Sequence, residues 1–195
     1  MSMRARAARM AQAAAVLAAV VLVIGGCAAA RKAAALNSRP AAAVKPASGA
    51  VHFIDYSIDS DGPRSSVIVT GAIGDWGSAE TVFPDGKIDP QHMHELQLSL
   101  QHGTFRLPFA ALDKKIRGAL GHWPSNPRTC SGSISVRATL PVVPGSGTGL
   151  YKGISGSFSV TATIDEVDVK PVCNGTSRFL AQVILLVGSG TVASG

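Results

Sequence analysis

The chain lacks an apolar run long enough to cross a bilayer. Met10 to Ile24 is apolar apart from Gln12, but at about 15 residues it falls short of the roughly 20 that a spanning helix needs. Cysteine is scarce as well: Cys27, Cys130 and Cys173 are the full set, and no C-x-x-C pair occurs among them, so a redox or zinc motif has no sequence support. No phosphate loop is present, because the one Gly-Lys pair, Gly86-Lys87, is followed by Ile88 where Ser or Thr is required. The glycine cluster "PGSGTGLYKGISG" from Pro144 to Gly156 precedes a strand pattern instead of a helix. Gly145, Gly147 and Gly149 therefore do not form a dinucleotide fingerprint, and hairpin turns, which need positive φ, account for them. "IDSDGPRSSVI" lacks the glutamate of a calcium loop: with Gly62 at the glycine position, Ile68 falls where the bidentate carboxylate belongs. Asp59 and Asp61 then read as turn residues.

What is present first is an address. Arg4, Arg6 and Arg9 stand in a nine-residue start without acids, and the apolar stretch follows directly. This is the layout of an export signal. Ile24, Gly25, Gly26 and Cys27 then resemble the bacterial lipobox, which implies cleavage after residue 26 and acylation of Cys27. Acyl chains anchor by about 0.8 kcal/mol per buried methylene, so the expected location is exported and lipid-anchored to the bacterial cell membrane or envelope. Residues 27–50 are rich in Ala, with Pro40, Pro46 and Gly49 and almost no large apolar side chain. Such a stretch reads as a flexible tether.

Dividing the chain in this way changes the meaning of its charge. The formal balance is +6, yet from Val51 onward 11 Lys and Arg face 12 Asp and Glu, a balance of −1 (11 − 12). The basic excess belongs to the leader and tether, where it suits an anionic lipid surface, and nucleic acid is not an expected partner. With Cys27 acylated, Cys130 and Cys173 remain in a compartment that permits disulfides. A structural disulfide between Cys130 and Cys173 is expected; the alternative is a pair of thiols serving redox or metal chemistry, which no C-x-x-C spacing supports.

Residues 51–195 have the size of one domain, and their apolar pattern has period two. Ile134, Val136, Ala138 and Leu140 alternate with polar neighbours, as do Ile154, Phe158, Val160, Ala162 and Ile164. Further strands are expected over 51–58, 67–73, 95–101 and 179–187, with a shorter one at 105–107. One helix is expected after Pro108, with Phe109, Leu112, Ile116 and Leu120 on one face. The fold class is all-β with one short helix: an antiparallel β-barrel of about eight strands, with a β-sandwich as second choice.

G-S-G-T-G-x-Y-x-G-I-x-G, from Gly145 to Gly156, resembles the glycine-rich hairpin of the allene oxide cyclase and dirigent superfamily of eight-stranded barrels. "TGAIGDWG" (70–77), "HGTFRLPFAAL" (102–112) and "GSGTV" (188–192) are similar to exported actinobacterial proteins of that type. The resemblance implies the barrel and suggests self-association as a trimer. It transfers no catalytic residue, because none of the family's matches a position here.

"DPQHMHELQLSLQHG" sets His94 on the side of Leu96, Leu98 and Leu100. His92 and His94 form an H-x-H pair, but no third ligand is spaced nearby and no metal or cofactor is expected. His52 and Tyr56 share parity with Ile54 and Ile58 on the first strand. If that face lines the barrel, His52, Tyr56 and His94 are the polar groups of a ligand cavity. The last strand is apolar on both faces over 183–187, so its outer side needs cover from the helix or from another subunit. Three functions remain. A binding module for a small apolar ligand or an envelope partner comes first, an isomerase or cyclase enclosing an apolar substrate second, and a structural envelope component third. An open cavity favours the first two and a filled barrel the third.

Overall fold

The computed structural model describes residues 48–58, 64–89 and 91–195. The leader, the tether and Cys27 lie outside the described residues, as do Asp59, Asp61 and Pro90. Eight strands form one antiparallel sheet: β1 (Gly49–Ile58), β2 (Arg64–Gly71), β3 (Asp75–Val82), β4 (Glu95–Leu100), β5 (Gly103–Pro108), β6 (Ser131–Pro141), β7 (Ser155–Asp168) and β8 (Phe179–Ala193). Their order is β5-β4-β3-β2-β1-β8-β7-β6. Among the described residues one α-helix occurs, α1 (Ala110–Leu120), and it joins β5 to β6. This is the all-β, barrel-like architecture expected from the alternation, built from one continuous curled sheet instead of the two layers of a sandwich.

The edges β5 and β6 are not joined by a ladder. At one end, the chain leaving β6 crosses to β5: the N–H groups of Val143, Thr148 and Leu150 donate to the carbonyls of Arg106, Thr104 and His102 at 2.8, 2.9 and 2.9 Å. This is where the glycine cluster acts. Gly149 has φ +56°, and a Cβ there would run into the His102 carbonyl, while one on Gly103 would run into the Thr148 carbonyl. The glycines let two backbones meet and shut one end of the sheet. At the other end, α1 packs on β6. Leu112 and Ile116 join the core, and Phe109 stands buried at the helix start.

The closed end is filled. Phe53 and Phe158 meet edge-on at 5.4 Å, Phe105 stacks on Phe158 at 6.2 Å and meets Tyr151 at 5.6 Å. Gly188 on β8 makes room for the plug, since a Cβ there would overlap the Phe53 ring. Beneath it, the Tyr151 hydroxyl donates to Asp75 Oδ2 at 2.5 Å, and the His102 N–H and ring Nδ1 reach the same oxygen at 3.1 Å. Burial would raise the Asp75 carboxyl, but bonds from Tyr151, Trp76 and His102 together hold it below the usual carboxylate range. Burial, and then the bond to Asp75, push the Tyr151 hydroxyl up. This cluster pins the glycine-rich crossing to the start of β3.

The sequence reading missed β3. "DWGSAETV" breaks the alternation with acids at two buried positions, Asp75 and Glu80. Each acid is satisfied: Asp75 by the closing cluster, and Glu80 by Arg64 Nε at 3.0 Å and by Gln97 and Ser99 on the neighbouring strand. Cys130 and Cys173 form a disulfide with Cα atoms 4.9 Å apart, linking the start of β6 to the β7–β8 connection.

Candidate ligand cavity

The half of the barrel opposite the aromatic plug is hollow. A cavity of about 680 Å³ opens there, within the range of small-molecule sites. It lies between the end of β1, the start of β2, the end of β3 and the start of β8, with α1 as one wall. Met93, Leu96, Phe109, Ile116, Ile164 and Leu186 supply most of its apolar lining.

One polar group stands out. Asp55 lines this cavity, is 3% exposed, and has a carboxyl oxygen, Oδ1, with no hydrogen-bond partner. Its position follows from the phase of β1, in which Val51, Phe53 and Asp55 are buried while Ile54, Tyr56 and Ile58 are exposed. Burial pushes its carboxyl up to about 6, and the neighbouring Ser65 hydroxyl, which also reaches the Ala79 carbonyl at 3.3 Å, offsets only part of this. The other charged residues lining the cavity are matched. Arg64 pairs with Glu80 at 3.0 Å, and Arg117 Nε pairs with Asp113 at 2.8 Å. Among the described residues, Asp55 is the lining charge without a counter-ion.

The expected lining residues lie elsewhere. Tyr56, 46% exposed, points outward with Ile54 and Ile58, and His52, half-buried, belongs to the same outer face. The phase inverts because β1 carries large apolar residues on both faces. Phe53 has aromatic partners inside, and that fixes which face turns in. His94 precedes β4 in a loop folded around Asp89, which is fully buried. Its Nδ1 lies 2.6 Å from Asp89 Oδ2, and its ring rests 5.4 Å from Phe83. Burial would raise Asp89, but the His94 ring and the N–H groups of His92, Gln91 and His94 hold it well below the usual range. His94 thus organises a loop and does not line the cavity. His92 lies in the same loop, and no cluster of three or more His, Cys, Asp or Glu among the described residues is placed to hold a metal ion.

A second acidic pair lies behind the cavity wall, bonded to the lining residues Gln182 and Gly175. Glu166 and Asp168 both point inward near the end of β7 and are buried. Gln182 donates to Glu166 Oε2, and the Gly175 N–H donates to Asp168 Oδ2 at 3.1 Å. Burial first, then a hydrogen bond and repulsion from Asp168, raise the Glu166 carboxyl. The sequence carried a signal for both: 166 and 168 continue the inward parity of Ile164, beyond the end of the strand expected over 154–164.

No family model, no curated protein and no solved structure matches the chain. The cavity is therefore read from its own chemistry.

Proposed function

We propose that this protein is a binding module that takes a small apolar ligand into the open half of its barrel. The observation that carries this reading is the 680 Å³ cavity beside a filled, aromatic half. A structural component would have no use for leaving one half of a barrel hollow, since unfilled apolar space forfeits packing. Protein purified from its native envelope is expected to carry a stoichiometric small apolar compound, detectable by mass spectrometry of the extracted material. Repeated preparations without one, together with no uptake of small apolar probes, would sink the idea.

The isomerase or cyclase reading is favoured by Asp55 alone, a carboxyl raised to about 6 in an apolar cavity, which is the setting of a general acid. It requires the compound recovered from Asp55→Asn protein to be the unconverted isomer of that recovered from wild type. The same compound in both excludes catalysis at Asp55.

The binding module works at the envelope, held by acylated Cys27. Cys27→Ala is expected to remove the acyl mass and to shift the protein from the membrane fraction to the soluble or secreted fraction. Retention in the membrane with no acyl mass would refute the anchor. Self-association, as a trimer, draws support from the outer wall. Trp76, Ile68 and Ile54 are paired across β3, β2 and β1, beside Tyr56 and Ile58, and all five are exposed. The helix packs against β6 and does not cover this band. Sedimentation of the full chain in detergent is expected to give a species larger than one chain, and Ile68→Asp is expected to reduce it to a monomer. A monomeric wild type would overturn this.

A further inference from the structure

The cavity is apolar in shape but not electrically neutral, and that narrows what it can hold. Its two arginines are each engaged by an acid of their own, Arg64 by Glu80 and Arg117 by Asp113, and Arg117 also donates to the Gln91 carbonyl at 2.9 Å. Neither is left to neutralise Asp55. Facing Asp55 from the neighbouring β2 is the uncharged Ser65, and β8 presents Ile184, Leu186 and the amide of Gln182 to the cavity. Among the described residues no cation reaches the Asp55 carboxyl.

We propose that the ligand of this cavity is a lipophilic amine whose protonated nitrogen pairs with Asp55. The inference rests on the binding-module reading and specifies its ligand class. A buried carboxylate without a counter-ion is costly, because burial removes its water and the Ser65 hydroxyl returns only part of the loss, with Oδ1 left unbonded. An ammonium group with a hydrocarbon body compensates both losses: the cation supplies the missing partner, and the body fills the space between Phe109, Ile164 and Leu186. A fatty acid of equal size brings a second negative charge against the first and is rejected by the same group. A neutral alcohol donates one hydrogen bond and falls between the two.

Three probes with one hydrocarbon frame test this: 1-adamantylamine, 1-adamantanol and 1-adamantanecarboxylate, titrated calorimetrically at pH 8 into the full chain in lipid nanodiscs, with empty nanodiscs as the blank. The amine is expected to bind at least tenfold more tightly than the alcohol, and the carboxylate most weakly. Lowering the pH protonates Asp55, so amine affinity is expected to fall about tenfold per unit below pH 6, while the alcohol changes little. In Asp55→Asn, checked for folding by circular dichroism, the amine should lose its advantage and the alcohol should still bind. Equal affinities for all three probes, or a preference for the carboxylate, would overturn the amine inference and leave the binding-module reading standing. No uptake of any probe would overturn both.

Discussion

Asp55→Asn is expected to make the domain more stable, by about 2–3 kcal/mol at pH 8, an unusual direction for a substitution at a buried residue. The folded-state carboxyl titrates at about 6 against 3.8 for the unfolded chain. A rise of roughly two units corresponds to about 3 kcal/mol held against folding. The sign follows from proton binding. Above pH 6 both states are ionised and the whole penalty applies. Between about 6 and 3.8 the folded state takes up a proton that the unfolded state does not, and folding gains with each step down. Below that range both are protonated and the penalty is gone. Asparagine removes the charge but keeps a buried amide that needs a partner, which is why the gain is set below the full amount. Urea unfolding of wild type and variant at intervals from pH 4 to pH 8 should show no advantage for the variant at the acid end, an advantage growing up to about pH 6, and a constant difference above it. A difference that does not vary with pH would show that the carboxyl is solvated, and would remove the basis for both the acid–base and the amine readings.

A residue that lowers stability where it stands, in a cavity with no counter-ion, is where function is expected to outweigh folding. Local sequence rules do not find such a residue. Asp55 interrupts an otherwise apolar inward face, and period-two reading prefers the face that is apolar throughout, Ile54 and Ile58, with His52 and Tyr56 carried along. The choice between the faces depended on where the Phe53 ring could pack, and its partners, Phe158 on β7 and Gly188 on β8, lie more than a hundred residues away. By contrast, β6, β7 and α1 were legible because each has one apolar and one polar face. The glycine cluster was legible as a turn but not as the seam of the barrel, since its contact with His102 and Gly103 exists only once the sheet has curled.

Loss of the Cys130–Cys173 bridge is expected to cost about 4 kcal/mol for a loop of this length in the chain-entropy model. For a domain of this size that corresponds to a fall in Tm of roughly 10–15 °C. The bridge holds more than its own loop. The Asp168 N–H donates to the Cys130 carbonyl at 2.8 Å, the Trp123 indole lies against the backbones of Gly132 and Gly175, and Gly175 in turn caps Asp168. The β7–β8 connection is thereby fixed beside the cavity. Two perturbations separate entropy from packing. Reduction of the wild type cuts the bond and keeps both side chains, whereas Cys130→Ala with Cys173→Ala also removes a thiol that is 1% exposed. If the effect lies in the unfolded chain, both forms lose about the same Tm and the double variant is indifferent to reductant. If it lies in packing around Cys130, the variant falls well below the reduced wild type. A wild type whose Tm does not move on complete reduction would show that the β7–β8 connection is held by Trp123 and the Asp168 bonds without the disulfide.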